Sequence, residues 1–147
     1  MKRNKLIVQP DYSFILLGIV SSTKEYTLAW HLNQSSVFHF TKAPDISLDM
    51  NNDFEMIISN YICKSDQHTY TLLRNRLVIS SSENYFLLPE LNQFDYFLKL
   101  EFKIDHFDLE VLVNNLRVID KIDYLARLDI NKVKSKENVL HLSLIHI

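Results

Sequence analysis

The chain has 147 residues, 47% hydrophobic and 23% charged, with a formal net charge of -2, one glycine (Gly18) and one cysteine (Cys63). Roughly ten glycines are expected at this length, so Gly-rich phosphate loops, dinucleotide fingerprints and G-x-S-x-G elbows, each needing several positions without a Cβ, are excluded. The lone cysteine excludes an internal disulfide and a multi-cysteine zinc site, and the near-neutral balance gives no strong steering toward nucleic acid or anionic membrane.

Gly, Ala and Pro together number seven and Ile and Asn together twenty-six, which reads as the imprint of a low-GC genome. The longest apolar run, Phe14 to Val20, is far shorter than the ~20 residues that cross a bilayer, so no transmembrane helix is expected. Lys2, Arg3 and Lys5 imitate the start of a signal peptide, but Pro10 and Asp11 interrupt the apolar stretch that such a peptide needs next. A mature cytosolic amino terminus is therefore expected. One domain over residues 1–141 is expected, burying roughly two-thirds of its unfolded surface. The last six residues, Leu142 to Ile147, resemble the translation of a transposase adapter end used in sequencing libraries. They are set aside as an artefact tail, and His146 is given no role.

Phe14 to Val20 shows neither a helical nor a strand period. A strand and a short buried helix both fit, and we favour the helix, which makes a helical hairpin with the next element. Ser22-Thr23-Lys24-Glu25 fits a capping box, with the Ser22 hydroxyl and the Glu25 carboxylate satisfying orphan amides, so a helix is expected from about Thr23 to Asn33. Tyr26, Ala29, Trp30 and Asn33 share one face of it, widened by Leu28 and Leu32. Val37 to Thr41 reads as a short strand before the polar stretch Ala43 to Asn52. Phe54, Met56 and Ile58 alternate with Glu55 and Ser59, and Thr69 to Ile79 is a second β-rich run, the two forming a hairpin across Lys64 to His68.

The sharpest alternation sets Phe94, Tyr96, Leu98, Leu100, Phe102 and Ile104 against Asp95, Lys99, Glu101, Lys103 and Asp105, a strand with one buried face. Asp105 is expected to cap a helix whose core stripe is Leu109, Leu112, Val113 and Leu116. Ile122, Tyr124, Ala126, Leu128 and Ile130 alternate again, which completes a carboxyl-terminal strand-helix-strand unit. The fold class is α+β, a mostly antiparallel sheet of about five strands with helices packed on one face. Lys132-x-Lys134-x-Lys136 reads as a solvated tail.

Asp49-x-Asn51-x-Asp53 begins like an EF-hand loop, but Phe54 stands where the turn needs Gly and Asn60 where a bidentate Glu is needed, so calcium is rejected. The six histidines show no i, i+4 pair, and no metal or cofactor is expected. Cys63 reads as a small buried hydrophobe rather than a catalytic thiolate. Arg74, Arg76, Lys99 and Lys103 would make a basic RNA-binding face if they shared one side of the sheet with aromatics, yet cross-strand charge pairing explains them equally well.

The most distinctive segment runs from Leu87 to Tyr96. Pro89 ends the preceding run and sets Glu90 on a turn before the strand. Glu90, Asp95 and Tyr96 are capable of acid-base work, but Asp95 and Tyr96 point to opposite faces unless a bulge intervenes. The alternative is structural, with Glu90 or Asp95 accepting turn amides and Tyr96 filling the core.

At Leu88-Pro89-Glu90, three residues, then Phe94-Asp95-Tyr96, the chain resembles the IPExxxVDY proteins, a bacterial family known mainly from Bacteroidota and named after that motif. Leu88 replaces the family isoleucine and Phe94 its valine. Leu17-Gly18-Ile19 and Tyr26-x-Leu28-x-Trp30-x-Leu32-Asn33 look like the family's amino-terminal signature, with Gly18, Tyr26, Trp30 and Asn33 as its marked positions. Lys134-Ser135-Lys136-Glu137-Asn138 looks like its closing segment. The likeness spans nearly all of Phe14 to Leu140. It implies a compact cytosolic protein and carries no reaction, ligand or partner with it.

These observations allow three functional readings. The first is a non-catalytic cytosolic interaction module with a protein partner or as a homo-oligomer, motivated by the missing catalytic constellation and the 12% aromatic content. The second is a small-ligand binder or enzyme using Glu90, Asp95 and Tyr96 with a pocket beside Pro89. The third, ranked last, is RNA association. Gly18 is expected where a side chain would clash, against Trp30 or the sheet.

Overall fold

Six antiparallel strands make the framework of the fold, and the order in which they pair decides which are covered on both faces. The computed structural model describes residues 14–49, 55–77, 86–102 and 108–133. In chain order these hold β1 (Phe14–Val20), α1 (Glu25–Asn33), β2 (Thr41–Asp49), β3 (Glu55–Lys64), β4 (His68–Arg74), a 3-10 turn (Pro89–Leu91), β5 (Tyr96–Phe102), α2 (Leu109–Arg117), β6 (Tyr124–Leu128) and a second 3-10 turn (Ile130–Lys132). The strands form one sheet in the order β2-β3-β4-β5-β1-β6. The class is α+β, as the patterning predicts, with six strands where about five are expected.

Phe14 to Val20 is a strand and not the expected helix, so there is no helical hairpin. Its place explains the missing period. β1 lies between β5 and β6, with Ile19 opposite Tyr96 on one side and Leu125 on the other. Both of its faces are covered, and a doubly covered strand reads as an unbroken apolar run. Ile15, Leu17 and Ile19 face a cluster built with both helices, through Leu28, Ala29 and Leu32 of α1 and Leu112 and Leu116 of α2. Leu16 faces the other cluster, where loop residues Leu87, Leu88 and Phe94, with Ile130 and Val133, cover the sheet in place of a helix.

β5 differs from its expectation for the same reason. Tyr96, Leu98 and Leu100 pack on the helical side, but Phe97 and Lys99 are also buried, so the strand has two buried faces. The Lys99 ammonium lies 4.7 Å from the centre of the Phe14 ring, and burial holds it below the ordinary lysine value.

The helix after β1 starts two residues later than the capping box implies. Lys24 is its N-cap and makes no side-chain capping bond, while Glu25 accepts from the Ser59 hydroxyl at 2.6 Å. Its buried face is Leu28, Ala29 and Leu32, whereas Tyr26 and Trp30 are 62% and 57% exposed. Apolar residues run all round this helix, so spacing alone fits two faces. Glu25 on Ser59 and Asn33, which bonds both backbone groups of Phe40 (2.7 and 2.8 Å), fix the rotation.

The strand expected at Val37–Thr41 begins at Thr41 and continues through the stretch read as polar, as an edge strand bulged between Ala43 and Ile46 around Pro44. Phe38 and Phe40 are buried before it starts. The β3–β4 hairpin pairs Lys64 with Thr69, as expected. Asp108 caps α2, accepting from the Val111 amide at 3.2 Å, in the place expected for Asp105. Leu112 and Leu116 are buried and Leu109 and Val113 pack half-buried beside them, as the stripe predicts. β6 buries Leu125 and leaves Tyr124 60% exposed, the reverse of the alternation read for this edge strand. Lys103, Asp105, the Lys134–Asn138 segment and the 142–147 tail, each with an expectation attached, lie outside the described residues.

Gly18 faces the second cluster. A Cβ there would stand 2.6 to 2.9 Å from three carbons of the Phe94 ring, so the clash partner is Phe94 and not Trp30. Gly18→Ala is expected to lower the unfolding free energy in urea by about 1–3 kcal/mol through overpacking. Combined with Phe94→Ala the two losses should sum to less than their separate values, because removing the ring makes room for the methyl. Full additivity would show that the ring does not press on Gly18.

Candidate functional site

Where β1 and β4 finish and β5 begins, the chain has to turn without glycine, and polar side chains take over the turn hydrogen bonds. Asn75, fully buried just after β4, donates through Nδ2 to the Phe94 carbonyl (2.9 Å) and the Leu91 carbonyl (3.1 Å), and its Oδ1 accepts from the Leu88 amide (3.0 Å). Its backbone carbonyl accepts from the Leu87 amide and its own amide donates to the Asp95 carbonyl. One asparagine thus holds the whole segment from Leu87 to Asp95. Pro89 opens the 3-10 turn within it, with fixed φ and no amide to satisfy.

This anchoring determines what the motif residues can do. Leu88 is fully buried in the second cluster, and Pro89 and Glu90 are exposed on the turn. Asp95 sits at the junction of three segments: its amide donates to the Ile19 carbonyl, and its Oδ2 accepts from the Ser21 amide at 2.9 Å. The Tyr96 hydroxyl donates to the Thr23 carbonyl at 2.6 Å. Asp95 and Tyr96 therefore grip the same β1–α1 connection from neighbouring positions, while Glu90 stands apart on the turn. The acid-base trio of Glu90, Asp95 and Tyr96 does not converge.

What the grip creates is a concave cleft of about 510 Å³ along that connection. One wall is the β1–α1 connection and the first residues of α1, from Ser21 to Tyr26. The other holds Tyr61 of β3, Arg74 at the end of β4, Arg76, Phe86, Asn92, Phe94, Asp95 and Tyr96. Its size is that of ordinary small-ligand sites. The pocket lies beside Asp95 and Tyr96 rather than beside Pro89. Of the amino-terminal signature, Tyr26 lines it, Gly18 underlies Phe94, Trp30 lies outside it on α1 and Asn33 pegs Phe40.

The cleft is electrically mixed. Lys24, Arg74 and Arg76 bring three cations, with the Arg76 guanidinium 5.5 Å from the centre of the Phe86 ring, and Glu25 and Asp95 bring two carboxyls. Burial raises the Glu25 carboxyl above its ordinary value, against the opposing pull of the Ser59 hydroxyl, Lys42 and Arg74, and its Oε2 is buried without a hydrogen-bond partner among the described residues. Burial also pushes the Tyr96 hydroxyl up to about 12, with Glu25 adding to the shift, so the phenol stays a donor to Thr23.

Among the described residues, Arg74 and Lys99 do not share the face that the last-ranked RNA reading requires. Arg74 follows Tyr70 and Leu72 toward the helical side, whereas Lys99, opposite Thr71, is buried toward the other, under Phe14. Cys63 is a buried free thiol whose sulfur accepts from the His39 amide at 3.4 Å. No helix among the described residues is long and apolar enough to cross a membrane. No protein-family model matches the chain, and no curated protein matches it.

Asn75 and Ser21 are the site residues that sequence reading passes over, while Thr23 enters it only through the capping box and Arg74 only through a basic face. The one signal for Asn75 is an amide side chain at the end of a β-rich run, a common place for turn-making residues. Asn75→Ala strands two carbonyls and one amide, and urea unfolding should show a loss of about 3 kcal/mol; a loss under about 0.5 kcal/mol would mean that water replaces the carboxamide.

Glu25 supplies a pH test. A carboxyl raised above 4.5 binds its proton more tightly when folded, so it adds stability that is complete below that value and is lost as pH rises through the raised value. Relative to Glu25→Gln, which cannot titrate, the wild-type chain should lose unfolding free energy as pH climbs above 4.5. Parallel stability profiles for the two proteins would contradict the raised value.

Proposed function

We propose that this chain is a non-catalytic binding module of the IPExxxVDY family that takes its ligand in the cleft at the start of α1. One observation carries the reading: Asp95 and Tyr96, the most reactive side chains of the motif, are spent on the Ser21 amide and the Thr23 carbonyl, which hold the cleft wall in place. A phenol pushed up to about 12 is poorly placed to exchange protons near neutral pH, whereas a fixed concave wall is what binding requires. The motif is then a scaffold for a site. The family assignment is supported by its residues acting together, since Leu88 anchors the segment, Phe94 covers Gly18, and Asp95 and Tyr96 bind the loop after β1. A cytoplasmic location belongs to the same proposal and is supported by the lone buried thiol of Cys63.

A second reading, a protein-interaction module or homo-oligomer, is favoured by the exposed rings of Tyr26 and Trp30 on the outer face of α1. The two readings separate cleanly. In a ligand-observed NMR screen of small fragments, with binders mapped on the amides of the wild-type protein, the first expects shifts clustered on Thr23 to Tyr26, Arg74 and Asn92. Binders that map only to Trp30 and its neighbours, together with a dimer by light scattering, would favour the second, and fragments that leave the cleft amides untouched would defeat the first.

A further inference from the structure

The cleft's charges indicate what enters it. Arg74 is half-buried at the end of β4, directly across the sheet from Tyr96, and has no ion pair within 4 Å among the described residues. Lys24 lines the same cleft from the start of α1, as an N-cap whose side chain makes no capping bond. Arg76 stands over the Phe86 ring on the same wall as Arg74. The two carboxyls of the cleft are already engaged, Asp95 by the Ser21 amide and Glu25 by the Ser59 hydroxyl. Arg74 and Lys24 thus bring to the cleft two cations that form no ion pair among the described residues, and a guanidinium suits a tetrahedral dianion through forked hydrogen bonds. The cleft, at about 510 Å³, is much larger than a phosphate group, and the rings of Tyr26, Tyr61 and Phe86 flank the remaining space with flat apolar surface.

We propose that the cleft binds a small organic phosphate, a phosphomonoester carried on a planar ring, with Arg74 and Lys24 holding the phosphate and the aromatic side chains holding the ring. This rests on the binding-module reading and specifies its ligand. It also fits a chain with a single glycine. A backbone cradle for phosphate needs several glycines, but a site made from the Arg74 guanidinium and the Lys24 ammonium needs none.

The test is an amide NMR titration of the full chain with phenyl phosphate, adenosine monophosphate, inorganic phosphate and phenol. At least one of the two ring phosphates is expected to shift the amides of Thr23 to Tyr26 saturably, and to bind about tenfold more tightly than inorganic phosphate, the ring adding its stacking energy. Arg74→Gln should weaken that binding about tenfold or more, as the loss of a charge-assisted pair implies. Should Arg74→Gln fail to fold, Lys24→Gln, an exposed position, carries the same expectation of weaker binding, with Arg127→Gln outside the cleft as the unaffected control. If phenol binds the cleft as tightly as phenyl phosphate, and Arg74→Gln or Lys24→Gln leaves both unchanged, the phosphate assignment falls while the binding-module reading stands. Inorganic phosphate binding as tightly as both ring phosphates would overturn the role of the rings. If none of the four probes shifts a cleft amide, the assignment is overturned, and the fragment screen alone decides the broader reading.

Discussion

The buried carboxamide of Asn75 is the constraint on which the rest of this architecture depends. Among the described residues the second face of the sheet is covered by loops and short 3-10 turns, and irregular chain leaves backbone groups that water cannot reach. Asn75 satisfies three of them at once and so makes a loop behave as a packed layer. Phe94 is thereby placed on Gly18, Leu87 and Leu88 on the second cluster, and Asp95 where three segments meet. The cleft inherits its rigidity from that arrangement, since Asp95 and Tyr96 hold the start of α1 only because Asn75 holds the chain that leads to them.

The same device recurs. Asn33 closes both backbone groups of Phe40, and Asn60, fully buried, donates to the Pro44 carbonyl at the bulge of the β2 edge. In a chain with one glycine, sharp changes of direction cannot rely on left-handed backbone, and asparagine side chains supply the hydrogen bonds that a tighter turn would have made. An asparagine-rich composition that first reads as genomic bias thus includes three positions with defined structural work.

How much was legible in the sequence depends on how locally each feature is determined. The β3–β4 hairpin and the stripe of α2 depend on neighbouring residues alone, and both lie where periodicity puts them. The fold class was legible for the same reason. The nature of Phe14 to Val20, by contrast, depends on being enclosed by β5 and β6, strands from the far end of the chain. The exposed rings of Tyr26 and Trp30 depend on Glu25 finding Ser59, and the burial of Lys99 depends on Phe14 lying above it. The motif was visible as a pattern, but its role was not. Asp95 and Tyr96 meet through the loop after β1, a contact that no alternation rule along their own strand contains. By charge alone Arg74 groups with Lys99 as readily as with Arg76, and of the two only Arg76 shares its cleft.

The position of β1 has a temporal meaning as well. It is the first described strand in the chain, yet its two neighbours in the sheet are the last two. A ribosome adding about 5–20 residues per second needs roughly 4–16 s to pass from Phe14 to Tyr96, and longer to reach β6. During that interval an apolar seven-residue strand has no place in the sheet, while β2, β3 and β4 are already able to pair. The β5-β1-β6 side of the finished sheet is therefore the last part of it that can close, which makes the nascent chain a natural client for whatever shields unpaired strands during synthesis.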